Sequence, residues 1–325
     1  GDALHSRPLP INYGATGGYS SPGNPAIYIA VATNDGLLRM IRNTRTGGAQ
    51  SGEEVWAFMP RKAMAAQKIL RANGTGVKHP YTVDGAPVAF IQDRNRDGSI
   101  VASDGDRVYL YVGMRRGGKA YYAFDVTNPE SPSLMWTIDK GGDFAELGYT
   151  FSNPRVGLVN SPTGPLPVVM FAGGYDMNKD TRGSVGTDDS EGNAIFVVNA
   201  ETGDLVWKAV QGGGGGSATV FEHPRLTDSI PSTLAAGDTD GDGCTDRLVV
   251  GVGRHNLGSN VFWYLLDPAG TAFEFFADMD QILDDEEWER DHCRLDSGGS
   301  VGPHTEQPAG PSAPSQRRRQ RARSH

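Results

Sequence analysis

The chain has 325 residues, including 44 glycines and 20 prolines, and a formal net charge of −9. This glycine and proline content excludes a mainly helical protein, and the length allows one large all-β domain or two small domains. The negative net charge disfavours binding of nucleic acid or an anionic membrane to most of the protein surface. No run of about 18 apolar residues is present, so no membrane-spanning helix is predicted.

The N-terminal third predicts short strands separated by turns. Residues 1–25 predict a lead-in loop without a signal-peptide pattern, so we expect any export signal to lie upstream. Ala26–Ala32 and Leu37–Ile41 flank an Asn-Asp-Gly sequence, which is typical of a β-hairpin. Glu53–Phe58 predicts a third strand, and Pro60–Ala72 is the most helix-like segment before residue 270.

This strand pattern recurs along the chain. Related strands begin at Val108 and Val168, and an incomplete fourth copy begins at Leu248. The first three copies each end in a strand with a tryptophan that can fill the gap between sheets: Trp56, Trp136 and Trp207. Such recurrence predicts a β-propeller, but the tryptophans are further apart than one blade of roughly 40–50 residues. Either a divergent blade lies between successive tryptophans or long insertions extend the loops.

The sequence therefore predicts an all-β fold with three regions. A β-propeller with modified or incomplete blades is expected over residues 1–267. Residues 268–295 form an acidic segment that is predicted to be helical, and residues 296–325 form a basic, Gly-, Pro-, Ser- and Gln-rich tail that is predicted to be disordered.

A calcium-type motif lies near the end of the predicted propeller. Its oxygen ligands would be the carboxylates at positions 1, 3, 5 and 9 and the backbone carbonyl at position 7: Asp238, Asp240, Asp242, Asp246 and Cys244. Alternate residues of a tight loop can direct oxygens at one hard cation if the chain turns sharply at a glycine, here Gly243. The alternative is a plain acidic turn.

The flanking residues distinguish this loop from an EF-hand. An EF-hand has a helix on each side and a glutamate at position 12, where this chain has Val249. Residues 247–252 are strand-like, so the sequence predicts a calcium loop that connects two strands.

A second loop repeats part of the spacing. Its candidate ligands for a second metal ion are Asp93, Asn95, Asp97 and Ser99, but position 9 is Val101. The alternative is a solvated hairpin loop in which Arg94 and Arg96 balance the acidic charge.

Several motifs in this order resemble the C-terminal propeller of the PilC/PilY family of type IV pilus proteins. They are Asn34–Gly36, Tyr81–Pro87, Gly118–Val126, Ala172–Asp176 and the 238–246 loop, and the resemblance covers roughly residues 1–251. It implies a quinoprotein-like propeller that binds Ca²⁺ through Asp238, Asp240, Asp242, Asp246 and the Cys244 carbonyl. Where family members continue with a Val-Trp-Arg strand, this chain has Gly253–Ser259, so the closing blades are expected to be modified or missing.

The resemblance also implies a function. It implies an exported protein at the pilus tip, on the fimbrium or at the outer membrane, with a role in pilus biogenesis, twitching motility and cell adhesion. Calcium occupancy would regulate pilus extension against retraction, and the partners would be minor pilins and a host or surface receptor.

Two other functions remain open from the sequence. Thr202–Trp207 is similar to the blade motif of quinoprotein dehydrogenases, but those enzymes typically carry an adjacent cysteine pair, and Cys244 and Cys293 are far apart. A calcium-dependent glycan-binding propeller is the other alternative. We therefore expect a binding protein rather than an enzyme.

Overall fold

A computed structural model of the chain describes residues 1–16, 18–19, 23–45, 50–180, 188–237, 247–249, 253–254, 261–266 and 272–277. The predicted calcium loop at 238–246 and the tail predicted at 296–325 lie outside these ranges.

The first sheet contains four antiparallel strands in chain order. They are β1 (Leu9–Asn12), β2 (Ile27–Thr33), β3 (Leu37–Thr44) and β4 (Gln50–Phe58). The predicted hairpin is confirmed, because Thr33 pairs with Leu37 across the turn and Gly36 adopts a positive φ of 102°. Glycine reaches this conformation without the steric cost that a side chain would add. The predicted third strand lies within β4.

The second and third sheets repeat this antiparallel order. The second contains β5 (Val88–Gln92), β6 (Arg107–Gly113), β7 (Ala120–Asp125) and β8 (Ser133–Asp139). The third contains β9 (Arg155–Val159), β10 (Leu166–Ala172), β11 (Ala194–Asn199) and β12 (Leu205–Gln211). A further strand, β13 (Val220–His223), pairs in parallel with β12.

The predicted helix between the first two sheets is confirmed in a shorter form. A 3-10 turn at Arg61–Ala63 leads into helix α1 (Met64–Ala72), which ends where Asn73 adopts a left-handed conformation with φ 42°. The Gln67 amide donates to the Asp35 carbonyl at 2.8 Å and fixes α1 over the β2–β3 turn. In the described part of the chain, no helix has the length and apolar character needed to cross a bilayer.

Five more strands are described in the C-terminal part of the chain. They are β14 (Ala235–Gly237), β15 (Arg247–Val249), β16 (Gly253–Arg254), β17 (Val261–Leu266) and β18 (Ala272–Ala277). Over 272–277 the helix predicted for the acidic segment is wrong, because β18 pairs with β17 along its whole length. Its three phenylalanines favour a pleated strand. The β17–β18 hairpin also crosses the boundary predicted at 267, and the acidic residues from 278 onward lie outside the described residues.

The sheets are arranged as the blades of a β-propeller, which confirms the predicted fold class. The first strands of successive sheets contact one another, β5 with β9 and β9 with β14, so these strands lie innermost. The tryptophans at 56, 136 and 207 lie on β4, β8 and β12, the fourth strands of consecutive sheets. Long loops, and not an intervening blade, therefore account for their wide spacing.

Strand β6 is buried on both faces between two blades. Val108, Leu110 and Val112 join the core shared with the first sheet, whereas Tyr109 and Tyr111 join the core shared with the third. Because successive side chains of a strand point to opposite faces, a strand between two packed sheets needs apolar residues at every position. The near-continuous apolar runs in the sequence follow from this double burial.

Two tryptophans also connect neighbouring blades by hydrogen bonds. The Trp56 indole donates to the Pro129 carbonyl at 2.8 Å, and the Trp136 indole donates to the Ala200 carbonyl at 3.0 Å. Both acceptors lie in the loop between the third and fourth strands of the next sheet. The Tyr111 hydroxyl donates to the same Ala200 carbonyl at 3.1 Å. Each indole thus both fills the gap between two sheets and satisfies a loop carbonyl.

Replacing Trp136 should strongly destabilise the protein. Trp136 is buried and stacks on Tyr111, so Trp136→Ala removes a large side chain from an interior site. We expect a loss of about 3–5 kcal/mol in the free energy of unfolding, measured by urea denaturation. Trp207→Ala is the matched control, because Trp207 is only half-buried and should cost clearly less. Equal losses in the two variants would contradict the role of Trp136 in filling the gap between two sheets.

Candidate functional site

The strands that flank the predicted calcium loop are described, although the loop is not. Gly237 at the end of β14 pairs with Arg247 at the start of β15. Residues 238–246 are therefore the connection of a two-stranded hairpin, as the strand-like flanks predict. The metal ligands assigned to this loop remain a prediction.

The second acidic loop occupies the equivalent place in the second blade. Gln92 at the end of β5 pairs with Arg107 at the start of β6, so residues 93–106 connect the first two strands of that sheet. Both loops begin with an aspartate directly after the first strand. In both loops the last residue is also an aspartate, Asp106 or Asp246, and it directly precedes the arginine that starts the second strand. The two acidic motifs therefore connect equivalent pairs of strands.

Hydrogen bonds within the second loop wrap the backbone around Asp93. The Asp93 carboxylate accepts the N–H groups of Arg96 at 2.7 Å and Gly98 at 2.8 Å. The Asn95 side-chain amide donates to Asp97 at 3.1 Å and to Asp104 at 3.3 Å. An amide N–H group thus lies between two carboxylates, where it reduces their mutual repulsion.

Metal binding at the second loop is not resolved by this geometry. Across the residues that the structure describes, no group of three or more His, Cys, Asp or Glu side chains is placed to hold a metal ion. Asp93, Asn95, Asp97 and Ser99 include only two carboxylates, so the second metal site also stays a prediction.

Asp106 binds the backbone of this loop from the interior of the protein. Its buried carboxylate accepts the N–H groups of Val101 and Arg94, each at 2.8 Å. These bonds hold the pKa of Asp106 below its usual value, because they stabilise the charged form. Asp106 was not among the residues predicted from the sequence for this loop. The signal that could have identified it is the aspartate that ends both loops.

The opposite end of the blades carries a buried carboxylate with three polar neighbours. Asp84, which precedes β5, is fully buried. It accepts the Asn34 amide at 2.8 Å and lies 2.7 Å from Nδ1 of His5. A guanidinium nitrogen of Arg115 lies 3.7 Å away. Asn34, Asp84 and Arg115 come from the β2–β3 turn, the β5 entry and the β6–β7 turn, so this carboxylate joins two blades.

Two arginines of the β6–β7 turn lie against aromatic rings. The Arg115 guanidinium lies 4.4 Å from the centre of the Phe151 ring. The Arg116 guanidinium lies 5.5 Å from Phe151 and 5.8 Å from both Tyr81 and Tyr175. Such cation–π contacts are stabilising and keep both guanidinium groups in place. We call this set, with His5 and Asp84, the cation–aromatic cluster.

Close packing fixes the turn that carries these arginines. The Gly117 N–H donates to the Met114 carbonyl at 2.9 Å, which closes the turn. A Cβ at Gly117 would lie 1.7 Å from the Thr82 carbonyl oxygen, so only glycine fits there. Arg115 itself has φ 53°, a left-handed conformation that is uncommon for a residue with a side chain.

The cation–aromatic cluster was not predicted from the sequence. Its members are separated along the chain and meet only when the second and third blades pack. A signal was present in Arg115 and Arg116 directly before Gly117 and Gly118, because two long cations at the tip of a tight turn are unusual in an acidic chain.

The family model described as the PilY1 beta-propeller domain matches residues 10–255. The chain belongs to this family. The match spans the three four-stranded blades and continues through the 238–246 loop, which confirms the resemblance to PilC/PilY proteins.

The similar proteins are much longer than this chain. It is 28% identical over 264 residues to the type IV pilus biogenesis factor PilY1 of Pseudomonas aeruginosa strain UCBPP-PA14, which covers 74% of this chain and 20% of that protein. A PilY1 homolog of Xylella fastidiosa is 27% identical over 256 residues, covering 73% and 18%. The chain thus spans about a fifth of the curated relatives it matches. The crystal structure of the P. aeruginosa PilY1 C-terminal domain matches with 24% identity and a TM-score of 0.44, covering 74% of this chain and 38% of that one.

Replacing Asp106 should change stability in a pH-dependent way. The stabilisation by Asp106 is fully present above about pH 4, where an unfolded aspartate ionises, and it is lost as pH falls through the lower folded pKa. Asp106→Asn should therefore lower the urea midpoint at pH 7 and make stability less dependent on pH below about 4.

Asp104→Asn is the control for this prediction. Asp104 is exposed in the same loop, and its replacement should leave both the midpoint and the pH profile near those of the parent protein. If Asp106→Asn unfolds with the parent's pH profile, the buried carboxylate does not hold the loop as described.

Proposed function

We propose that this chain is the calcium-binding β-propeller of a type IV pilus biogenesis factor. The observation that carries the proposal is the family match over residues 10–255, which includes a hairpin loop with four aspartates at calcium-ligand spacing. The printed names of the relatives support the pilus role.

The donor chemistry of the loop fits calcium. Asp238, Asp240, Asp242 and Asp246 supply hard oxygen ligands, and the carbonyl of Cys244 supplies another. Bound calcium would supply positive charge that cancels the repulsion among the carboxylates. The flanking pair Gly237–Arg247 brings the two ends of the loop together before any ion binds.

Ordering of the loop by calcium would change how the neighbouring strands are held in the propeller. Strand β14 contacts the inner strand β9, and the guanidinium of Arg155 on β9 donates to the Leu234 carbonyl at 3.1 Å. Aspartates that repel one another would loosen the β14–β15 hairpin, whereas a filled loop would hold it against β9. This difference is the two-state element through which calcium occupancy would regulate pilus extension against retraction.

The cellular role follows from the same family. The protein would be exported and displayed at the cell surface, on the fimbrium or pilus tip or at the outer membrane, where it would contact minor pilins and a host or surface receptor. It would support twitching motility and adhesion as a binding protein and not as an enzyme. Accordingly, pyrroloquinoline quinone with an alcohol substrate should produce no dye reduction.

Calcium titration of the full chain tests the metal site. Isothermal titration should show calcium binding that Asp246→Ala weakens by about tenfold or more, because a charged ligand is lost. Far-UV circular dichroism should remain near that of the parent protein.

Asp97→Ala is the matched variant in the equivalent loop. If residues 93–99 bind a second ion, Asp97→Ala should remove one equivalent of calcium and leave the other. Unchanged calcium affinity in Asp246→Ala would overturn the assignment of the 238–246 site.

A chimaera tests the pilus role. P. aeruginosa PilY1 whose matching segment is replaced by this chain should still assemble surface pili, measured in sheared surface fractions. The Asp246→Ala chimaera should show altered twitching that no longer responds to calcium in the medium. A secreted, stable chimaera that assembles no pili would contradict the proposed role.

A further inference from the structure

The Arg115 guanidinium lacks a hydrogen-bond partner among the described residues, although it carries five N–H donors. Its nearest acidic group is Asp84 at 3.7 Å, beyond hydrogen-bond distance. The oxygens of Asp84 are already occupied by Asn34 and His5. The Arg115 side chain is 27% exposed, so its donors are open to a bound molecule.

The neighbouring cations of this end are better compensated. Arg116 donates to Asp180 at 3.1 Å, and Lys119 lies 2.6 Å from Glu191. Burial lowers the pKa of Arg115; Asp84 opposes this change and the adjacent Arg116 adds to it. An arginine side chain stays protonated in proteins, so Arg115 carries a positive charge that the protein neutralises only in part.

Two further polar groups, on partly exposed side chains of the same cluster, have no hydrogen-bond partner in the described part of the chain. They are the hydroxyl of Tyr81 and Nε2 of His5, whose ring centres lie 6.2 Å apart. Tyr81 is 38% exposed and therefore also offers part of its ring. A charged fork, two further hydrogen-bonding groups and a partly exposed ring thus belong to one cluster around Asp84.

We propose that the cation–aromatic cluster binds an acidic saccharide, with Arg115 holding its carboxylate. An arginine fork matches a carboxylate through two parallel hydrogen bonds. Tyr81 and His5 can hydrogen-bond to sugar hydroxyls, and the Tyr81 ring can cover a sugar face. A peptide that binds by strand addition needs an open strand edge, which these turn residues do not provide.

The backbone of Arg115 supports a binding role. A left-handed conformation is costly for arginine and free of that cost for glycine, so the turn would be more stable with glycine at this position. Backbone strain of this kind is concentrated at functional sites, where the function of the side chain offsets its cost in stability. The Arg115 side chain thus stands at a position where the backbone conformation favours glycine.

The site is independent of the proposed calcium loop. Strand β6 begins at the 93–106 loop and ends at the turn that carries Arg115, so acidic loops and arginines lie at opposite ends of the blade. The inference thus goes beyond the proposed function and does not rest on it. Asp246→Ala should leave saccharide binding unchanged, which separates failure of one proposal from failure of the other.

The test is isothermal titration of the full chain with trigalacturonate. Arg115→Gly should weaken binding by about tenfold or more, while far-UV circular dichroism shows that the variant is still folded. Arg96→Gly is the matched control, because Arg96 has φ 59° at the opposite end, so glycine relieves a similar strain without touching the site. Tyr81→Ala should weaken binding, and Tyr81→Phe should restore part of the loss.

Defined outcomes would overturn the proposal. They are absence of trigalacturonate binding, or equal affinity in Arg115→Gly and Arg96→Gly. Equal binding of neutral trigalactoside would exclude the carboxylate contact. Displacement of the sugar by equimolar inorganic phosphate would assign the site to simple anions, and tighter binding of triglutamate would assign it to an acidic peptide.

Discussion

The indole hydrogen bonds between blades are the interactions on which the rest of the propeller depends. Trp56 and Trp136 each extend from the fourth strand of one sheet and donate to a loop carbonyl of the next sheet. A sheet with two apolar faces is stable only when both faces are covered by other sheets. Contacts that fix the distance and angle between sheets therefore also fix the positions of the inner strands. The contact between β9 and β14, which leads to the acidic hairpin, depends on this arrangement.

Insertions are tolerated because they leave this contact unchanged. The longest connections, including helix α1 and the 93–106 loop, extend from the ends of the strands and not from the interface between sheets. A surface loop can lengthen at small entropic cost, since the closure term grows only slowly with length. The blades therefore keep a common core while their ends differ, and both candidate sites lie at those ends.

Much of the fold could be predicted from local patterns, and less of the sites. The Asn34–Gly36 hairpin and the tryptophan strands follow from turn chemistry and strand periodicity, which depend on neighbouring residues. Whether a blade lay between two tryptophans could not be decided, because spacing does not distinguish a loop from a strand pair. The helix predicted over residues 272–277 was wrong, since the acidic residues that favoured it come later. The cation–aromatic cluster could not be predicted, because Tyr81, Arg116 and Tyr175 meet only through packing between blades.

The direction of β6 has a consequence for how the molecule can be used. An acidic loop emerges at one end of this strand and an arginine-bearing turn at the other, separated by the rigid length of a seven-residue strand. A body attached at one end does not obstruct access to the other. If both proposed sites are occupied, one copy of the propeller would carry two partners at opposite ends of the same strand.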